Sequence, residues 1–264
     1  MAWHCMAKAH EKQFAKMQSC HRSPPLLLIP TGKHNVWKVY NVMNDKLLDL
    51  QVRVPNKRFC GSSKGWLIVV ESNYAITLIN PFFRVIGRRK KENSIIRLPQ
   101  LNIPHCEVWA AECNNFVFKA SISADPILNA NECIVTVIYQ DKCQVAFIRL
   151  GKDTTWTLVD ERYQVIEEVA AIENKFYAVD YFTKLLSFDI TTQSYSAIKI
   201  LAQGMKLRLY DKKTYIVNLI EGEIIMVIRY FDFDYEARKR VTTNFKVFKL
   251  DFEKCKWITK KNIG

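Results

Sequence analysis

Hydrophobicity in this chain repeats with a period of two, in short runs, and that constrains the fold more than any other feature. Leu48, Leu50, Val52 and Val54 alternate with Asp49, Gln51 and Arg53, the pattern of a strand with one buried face. Asn44-Asp45 separates this run from Val36–Val42, which predicts a hairpin. The theme recurs. Trp66–Val70 is followed by Ala75–Ile79, Ile134–Tyr139 by Val145–Leu150 and then Trp156–Val159, and Phe176–Val179 by Leu185–Ile190. Tyr215–Leu219 leads to Ile224–Tyr230, and Phe245–Leu250 to Trp257–Thr259. These runs are rich in Val, Ile, Phe, Tyr and Trp, whose side chains suit a pleated surface. Strands every ten residues or so, with no long helical pattern between them, predict a sandwich, a barrel or a propeller.

An aromatic residue near the start of several units (Trp66, Trp109, Trp156, Phe176, Trp257) tips the choice toward a propeller. Blades of about 40–50 residues are the physical unit there, and each sheet must bury its faces on its neighbours. We therefore expect an all-β propeller of about five or six blades. Residues 1–23 stand apart. Good helix formers dominate from Ala7 to Gln18, with Met6, His10, Phe14 and Met17 at helical spacing, and Pro24-Pro25 ends the pattern. A short N-terminal helix over 1–23 and one propeller domain over 24–264 is the expected division.

With 264 residues and 49% hydrophobic composition, the chain can bury a sizeable core. Only eight glycines are present, so Asn, Asp and Lys must take many turn positions. The eight cysteines form no CxxC pair, and Cys60, Cys133 and Cys143 sit in or beside apolar runs. Reduced thiols packed as small hydrophobes are expected, and with them the cytoplasm or the nucleus. No run is long enough to span a membrane as a helix, and no apolar stretch of signal-peptide type opens the chain. Residues 1–43 hold one acid, Glu11, as transit peptides tend to, but also only one arginine.

Candidate chemistry is sparse. The net charge of +13 suggests either solubility or an acidic partner. Arg88-Arg89-Lys90-Lys91, with Arg84 nearby, resembles a nuclear-import signal, but a basic cluster between strands reads first as a solvated loop and only last as an anion contact. Arg238-Lys239-Arg240 reads as a hairpin tip. Nucleic acid is not the expected partner, because aromatics do not interleave with the basic cluster. Asp160-Glu161 and Glu167-Glu168-Glu173 are the acidic enrichments, expected to cap a blade edge or offset lysines. His4-Cys5, Cys20-His21, His105-Cys106 and Cys113 fit no zinc spacing, so no metal and no cofactor are expected. Gly151–Thr155 lacks the first glycine of a phosphate loop and reads as a turn. Four of five histidines lie in the first 34 residues, and no GxSxG, HExxH or GxGxxG occurs. A chain so poor in general bases is expected to be no enzyme.

Cys60-Gly61-Ser62-Ser63-Lys64-Gly65-Trp66-Leu67 resembles the C-G-S-S-x-G-W-L string of the F-box-associated plant family called domain of unknown function 295, or the KIB-type β-propeller. Further pieces follow in that family's order: Ile76–Pro81 with Asn80-Pro81 at its end, Ile96–Pro99, Ser123–Pro126, Arg149–Trp156 with one extra residue, Phe176–Asp180 and Phe245–Asp251. The resemblance spans residues 24–264. It marks Cys60, Gly61, Ser62, Gly65, Trp66, Asn80, Pro81, Trp156, Phe176, Tyr177, Asp180, Phe245 and Phe248 as signature positions, expected to be structural. Trp66 reads either as a blade-core residue or as part of a channel lining. The resemblance implies the substrate-recognition part of an SCF-type ubiquitin ligase receptor, in which an F-box docks a Skp-type adaptor. The stretch before Pro24 is shorter than an F-box, and the family's last strand finds no match, so an F-box remnant and an incomplete propeller are expected. Adaptor docking then depends on the N-terminal segment. The alternatives are a free-standing partner-binding propeller and a basic, anion-associated protein.

Overall fold

The computed structural model describes residues 26–55, 59–71, 74–87, 94–101, 117–140, 142–160, 162–172, 175–190, 198–205, 211–218 and 223–260. Among them every regular element is a strand or a short 3₁₀ turn. The N-terminal helix expected over residues 1–23 lies outside the described residues. Among the described residues there are five antiparallel sheets, one of three strands and four of four.

The three-stranded sheet belongs to a compact unit formed by residues 1–57 and 80–94. It holds β1 (Leu26–Pro30), β2 (Val36–Asn41) and β3 (Lys46–Arg53) in sequence order. The alternation predicted for β3 holds: Leu48 and Leu50 are half-buried, and Val52 and Val54 are fully buried. The register slips between Lys38 and Val39, a bulge that bends the strand. Asn80-Pro81 opens a 3₁₀ turn, Pro81–Arg84. The Phe82 amide donates to Asn80 Oδ1 at 3.0 Å, and proline occupies a position where no amide is required.

The second unit, residues 58–79 and 95–264, holds four meanders. They are β4 (Phe59–Ser63), β5 (Trp66–Val70), β6 (Ala75–Ile79) and β7 (Ile95–Gln100); β8 (Val117–Ile122), β9 (Ile134–Tyr139), β10 (Gln144–Arg149) and β11 (Thr157–Leu158); β12 (Ile166–Ile172), β13 (Lys175–Asp180), β14 (Leu185–Phe188) and β15 (Lys199–Ala202); and β16 (Lys212–Asn218), β17 (Ile224–Asp234), β18 (Lys239–Asp251) and β19 (Lys256–Thr259). Each sheet keeps its strands in chain order. Three apolar clusters join successive sheets. Trp66, Ile68 and Leu78 meet Val135, Val137 and Ile148; Ile138 and Phe147 meet Phe176 and Phe188; Val179 and Leu185 meet Met226 and Trp257. Sheets buried on both faces explain why β9 is buried at all six residues instead of alternating. This is blade-on-blade packing, the physical basis of a propeller.

The first strands of these sheets approach one another closely. A Cβ on Gly61 of β4 would lie 1.9 Å from the Ala120 carbonyl oxygen of β8, so only glycine fits there. Ser63 Oγ donates to the Ile122 carbonyl at 3.2 Å across the same seam. The β4–β5 hairpin closes through Lys64 and Gly65, both at positive φ, as two-residue turns of this hand require. Elsewhere the scarcity of glycine is met by residues such as Asn35 and Asp45, and also by Val165 and Cys255. Cys133 and Cys255 are free thiols, and Cys60 and Cys133 are buried.

Candidate protein-binding surface

Two places gather charged and aromatic side chains. The first lies on the innermost strands β8, β12 and β16. The register of β12 slips between Ile166 and Glu168, and this bulge leaves Glu167 and Glu168 free to point to different neighbours. Glu168 pairs with Lys119 of β8. Glu167 accepts from Lys212 Nζ of β16 at 2.9 Å. Lys212 is fully buried, also reaches Thr214 Oγ1 at 3.3 Å, and sits 4.5 Å from the Tyr181 ring centroid. Lys119 and Lys213 flank the Tyr215 ring at 5.3 and 5.9 Å. Burial pushes the Glu168 carboxyl above its ordinary range, against the pull of Lys119. Burial likewise raises Asp180, opposed by the Lys184 amide. Both glutamates are thus committed to lysines of adjacent sheets, and the arrangement joins blades.

The expected acidic enrichments resolve accordingly. Glu167 and Glu168 offset lysines, Asp160 pairs with Arg162, and Glu161 and Glu173 lie outside the described residues. Gly151 to Thr155 form a turn in which Asp153 takes a two-pronged ion pair from Arg149 at 2.7 to 3.1 Å. That guanidinium holds the Asp153 carboxyl below its usual range.

The second place is a ribbon. Strand β16 pairs with β17 only up to Tyr230, and β19 pairs with β18 only from Phe248 onward. Beyond these limits β17 and β18 run on as a two-stranded hairpin closed by Asp234↔Lys239. Arg238 sits in its turn at positive φ, so the basic triplet does mark a hairpin tip. The register places Arg229 opposite Phe245, Phe231 opposite Thr242 and Phe233 opposite Arg240, all on one face. Arg229 and Arg240 hold their guanidinium carbons 6.0 and 4.8 Å from the Phe231 centroid. Arg229 Nε donates to Thr242 Oγ1 at 2.7 Å. Tyr235 meets Phe233 edge-on at 5.1 Å. Phe231 is buried under the arginines, while Phe233, Phe245 and Tyr235 are 42%, 58% and 83% exposed. Sequence reading found the basic triplet and Phe245 but not the face. The cue was present on the first arm, where Arg229, Phe231 and Phe233 stand two residues apart, while on the second arm the bulge breaks the spacing between Arg240 and Phe245.

The signature positions fall into distinct structural roles. Trp66 is 1% exposed and belongs to the first interblade cluster. Its indole Nε1 donates to Asp125 Oδ2 at 3.1 Å, joining the Gly65-Trp66 string to the Ser123–Pro126 string. Cys60, Phe176, Tyr177 and Phe248 are core residues, and Asp180 ends β13. Trp156 Nε1 donates to the Pro99 carbonyl at 2.9 Å. Ser62 lies on β4 and Phe245 on the ribbon. Arg88, Arg89, Lys90, Lys91, Trp109 and the His/Cys pairs at 4–5, 20–21 and 105–106 lie outside the described residues. Among those described, no group of three metal-ligating side chains converges. No described helix is long and apolar enough to cross a membrane.

A family model described as KIB1-4 beta-propeller matches residues 39–264. No curated protein matches. Among solved structures, a chain in the S. cerevisiae structure of Dbp5 bound to Nup159, Gle1, IP6 and ADP is 9% identical, with a TM-score of 0.48; the match covers 91% of this chain and 59% of that one. The β-propeller domain of Myceliophteria thermophila Cps50 (Swd1) is 9% identical over 92% of this chain and 84% of its own, at a TM-score of 0.45. Kluyvelomyces marxianus Hsv2 is 12% identical over 84% and 82%, at 0.40.

Proposed function

Since the chain belongs to the KIB1-4 β-propeller family, we propose that it is a non-catalytic propeller that holds a protein partner and presents it to an SCF-type ubiquitin ligase. The observation that carries the binding reading is the ribbon. It exposes three aromatic rings beside two arginines on a two-stranded support. Tyr and Arg dominate the energetics of protein interfaces, and solvent-exposed rings beyond the sheet body are placed for contact and not for the core. The inner-strand carboxylates support the absence of catalysis, because each is engaged by a lysine. The ligase role rests on the resemblance of the propeller strings to a family whose members typically carry an F-box. The cytoplasm or nucleus suits both the role and the free thiols.

The test is affinity capture of the tagged chain from plant extract, with and without residues 1–23, read by mass spectrometry. We expect a Skp-type adaptor and a cullin to be recovered when residues 1–23 are present. Recovery of other proteins without any ligase subunit overturns the ligase reading and leaves a free-standing binding propeller.

A further inference from the structure

The charge on the aromatic face of the β17–β18 ribbon is all positive among the described residues: Arg229 and Arg240, with Lys213 of β16 directly opposite Arg229. The cross-strand register, with Thr243 as the extra residue of a bulge between the Tyr230 and Phe231 pairs, places Arg229, Phe231, Phe233, Arg240 and Phe245 on that face, and sends Asp232 and Asp234, opposite Val241 and Lys239, to the other. Glu236 lies in the turn. Neither Arg229 nor Arg240 has a carboxylate partner among the described residues; both instead converge on one ring. A planar guanidinium resting on an aromatic face keeps its edge donors free and loses little freedom when a carboxylate arrives. The whole chain, at +13, adds long-range attraction for an acidic partner.

We propose that this face docks an extended acidic segment of a partner protein, carrying two carboxylates two residues apart and an apolar side chain beside them. Residues two apart in a strand share a face and lie roughly 7 Å from each other, which suits two cations gathered over one ring. The apolar residue covers Phe233 and Tyr235 or, at the other end, Phe245. This inference rests on the protein-binding reading and adds the chemistry of the partner.

The probe is a pair of peptide arrays presented to the full chain. One follows the pattern acid–X–acid–X–aromatic, and the other replaces both acids by Asn or Gln. A charge-assisted pair is worth roughly tenfold in retention, so the acidic array should hold the wild type about tenfold better. The R229Q/R240Q variant should lose that preference. A charge-matched control far from the ribbon in sequence, Lys152→Gln with Lys199→Gln at two exposed positions, should keep it. Phe245→Ala, at an exposed position, serves as the second variant if the first fails to fold, and should weaken retention at least severalfold. Equal retention on both arrays overturns the inference. So does an equal fall in the ribbon variant and the charge-matched control, which would mean net charge alone. If the arrays fail while partner capture from extract persists, this inference falls and the binding reading stands.

Discussion

Each of three tryptophans sends its indole N–H to the neighbouring sheet. Trp66 reaches Asp125, Trp156 reaches Pro99, and Trp257 reaches the Thr183 carbonyl at 2.9 Å. A buried indole donor without a partner is costly, so each ring fixes both a packing position and a hydrogen-bond direction. Asp125 also accepts from the Ile127 and Leu128 amides at 2.8 and 3.0 Å, which orients its carboxylate before the indole arrives. We expect Trp66→Phe and Asp125→Ala to be non-additive. Urea unfolding of the double-mutant cycle should return a coupling of about 1–2 kcal/mol. Zero coupling would show that the two strings merely lie near each other. The aromatic spacing announced in the sequence where such rings sit, since large apolar residues at strand starts stand out. It did not announce their hydrogen-bond partners, because an aspartate or a carbonyl in a distant turn has no periodic signature.

The strands that the sequence displays best are the middle ones. β5, β6, β9, β10 and β13 are continuous apolar runs because both faces are covered, and their pairing follows the predicted order. The first strands were less legible. β4, β8 and β12 carry Gly61, Ser62 and Ser63, Lys119 and Ser121, and Glu167 and Glu168, so hydrophobicity alone passes over them. Their side chains settle polar contacts between blades, and Glu168 is the sharpest case. Its carboxyl is held above the ordinary range by burial. A group that gains proton affinity on folding supports the fold fully below its unfolded pKa, and that support fades as pH rises through the folded value. Asp180 acts with the same sign. Glu168→Gln should therefore match the wild type near pH 4 and become progressively the more stable of the two toward pH 7, as read from urea midpoints. A wild type that gains on the variant over that span would mean the Lys119 pair outweighs burial. The ribbon strands β17 and β18 also ran past their expected ends. Asp232, Asp234 and Thr242 break the apolar pattern, but hairpin hydrogen bonds need no buried face to continue.

Across the second unit, three apolar clusters link four sheets in series, and the middle two sheets contribute to two clusters each. Loosening one interface uncovers a face that its neighbour also depends on. Trp66 reports on the first cluster and Trp257 on the third. In Ile148→Ala, which opens the first, and Met226→Ala, which opens the third, fluorescence and far-ultraviolet circular dichroism should give one coincident transition, lowered by about 2–5 kcal/mol. Two separated transitions would show that the blades unfold independently. The sheet-by-sheet meander has a consequence for synthesis as well. Every sheet is complete once about forty or so consecutive residues have emerged, and each packs against the one made just before it. The ribosome can therefore release this unit blade by blade. At every intermediate length the newest blade still shows one apolar face to solvent, and it keeps doing so until the next blade arrives.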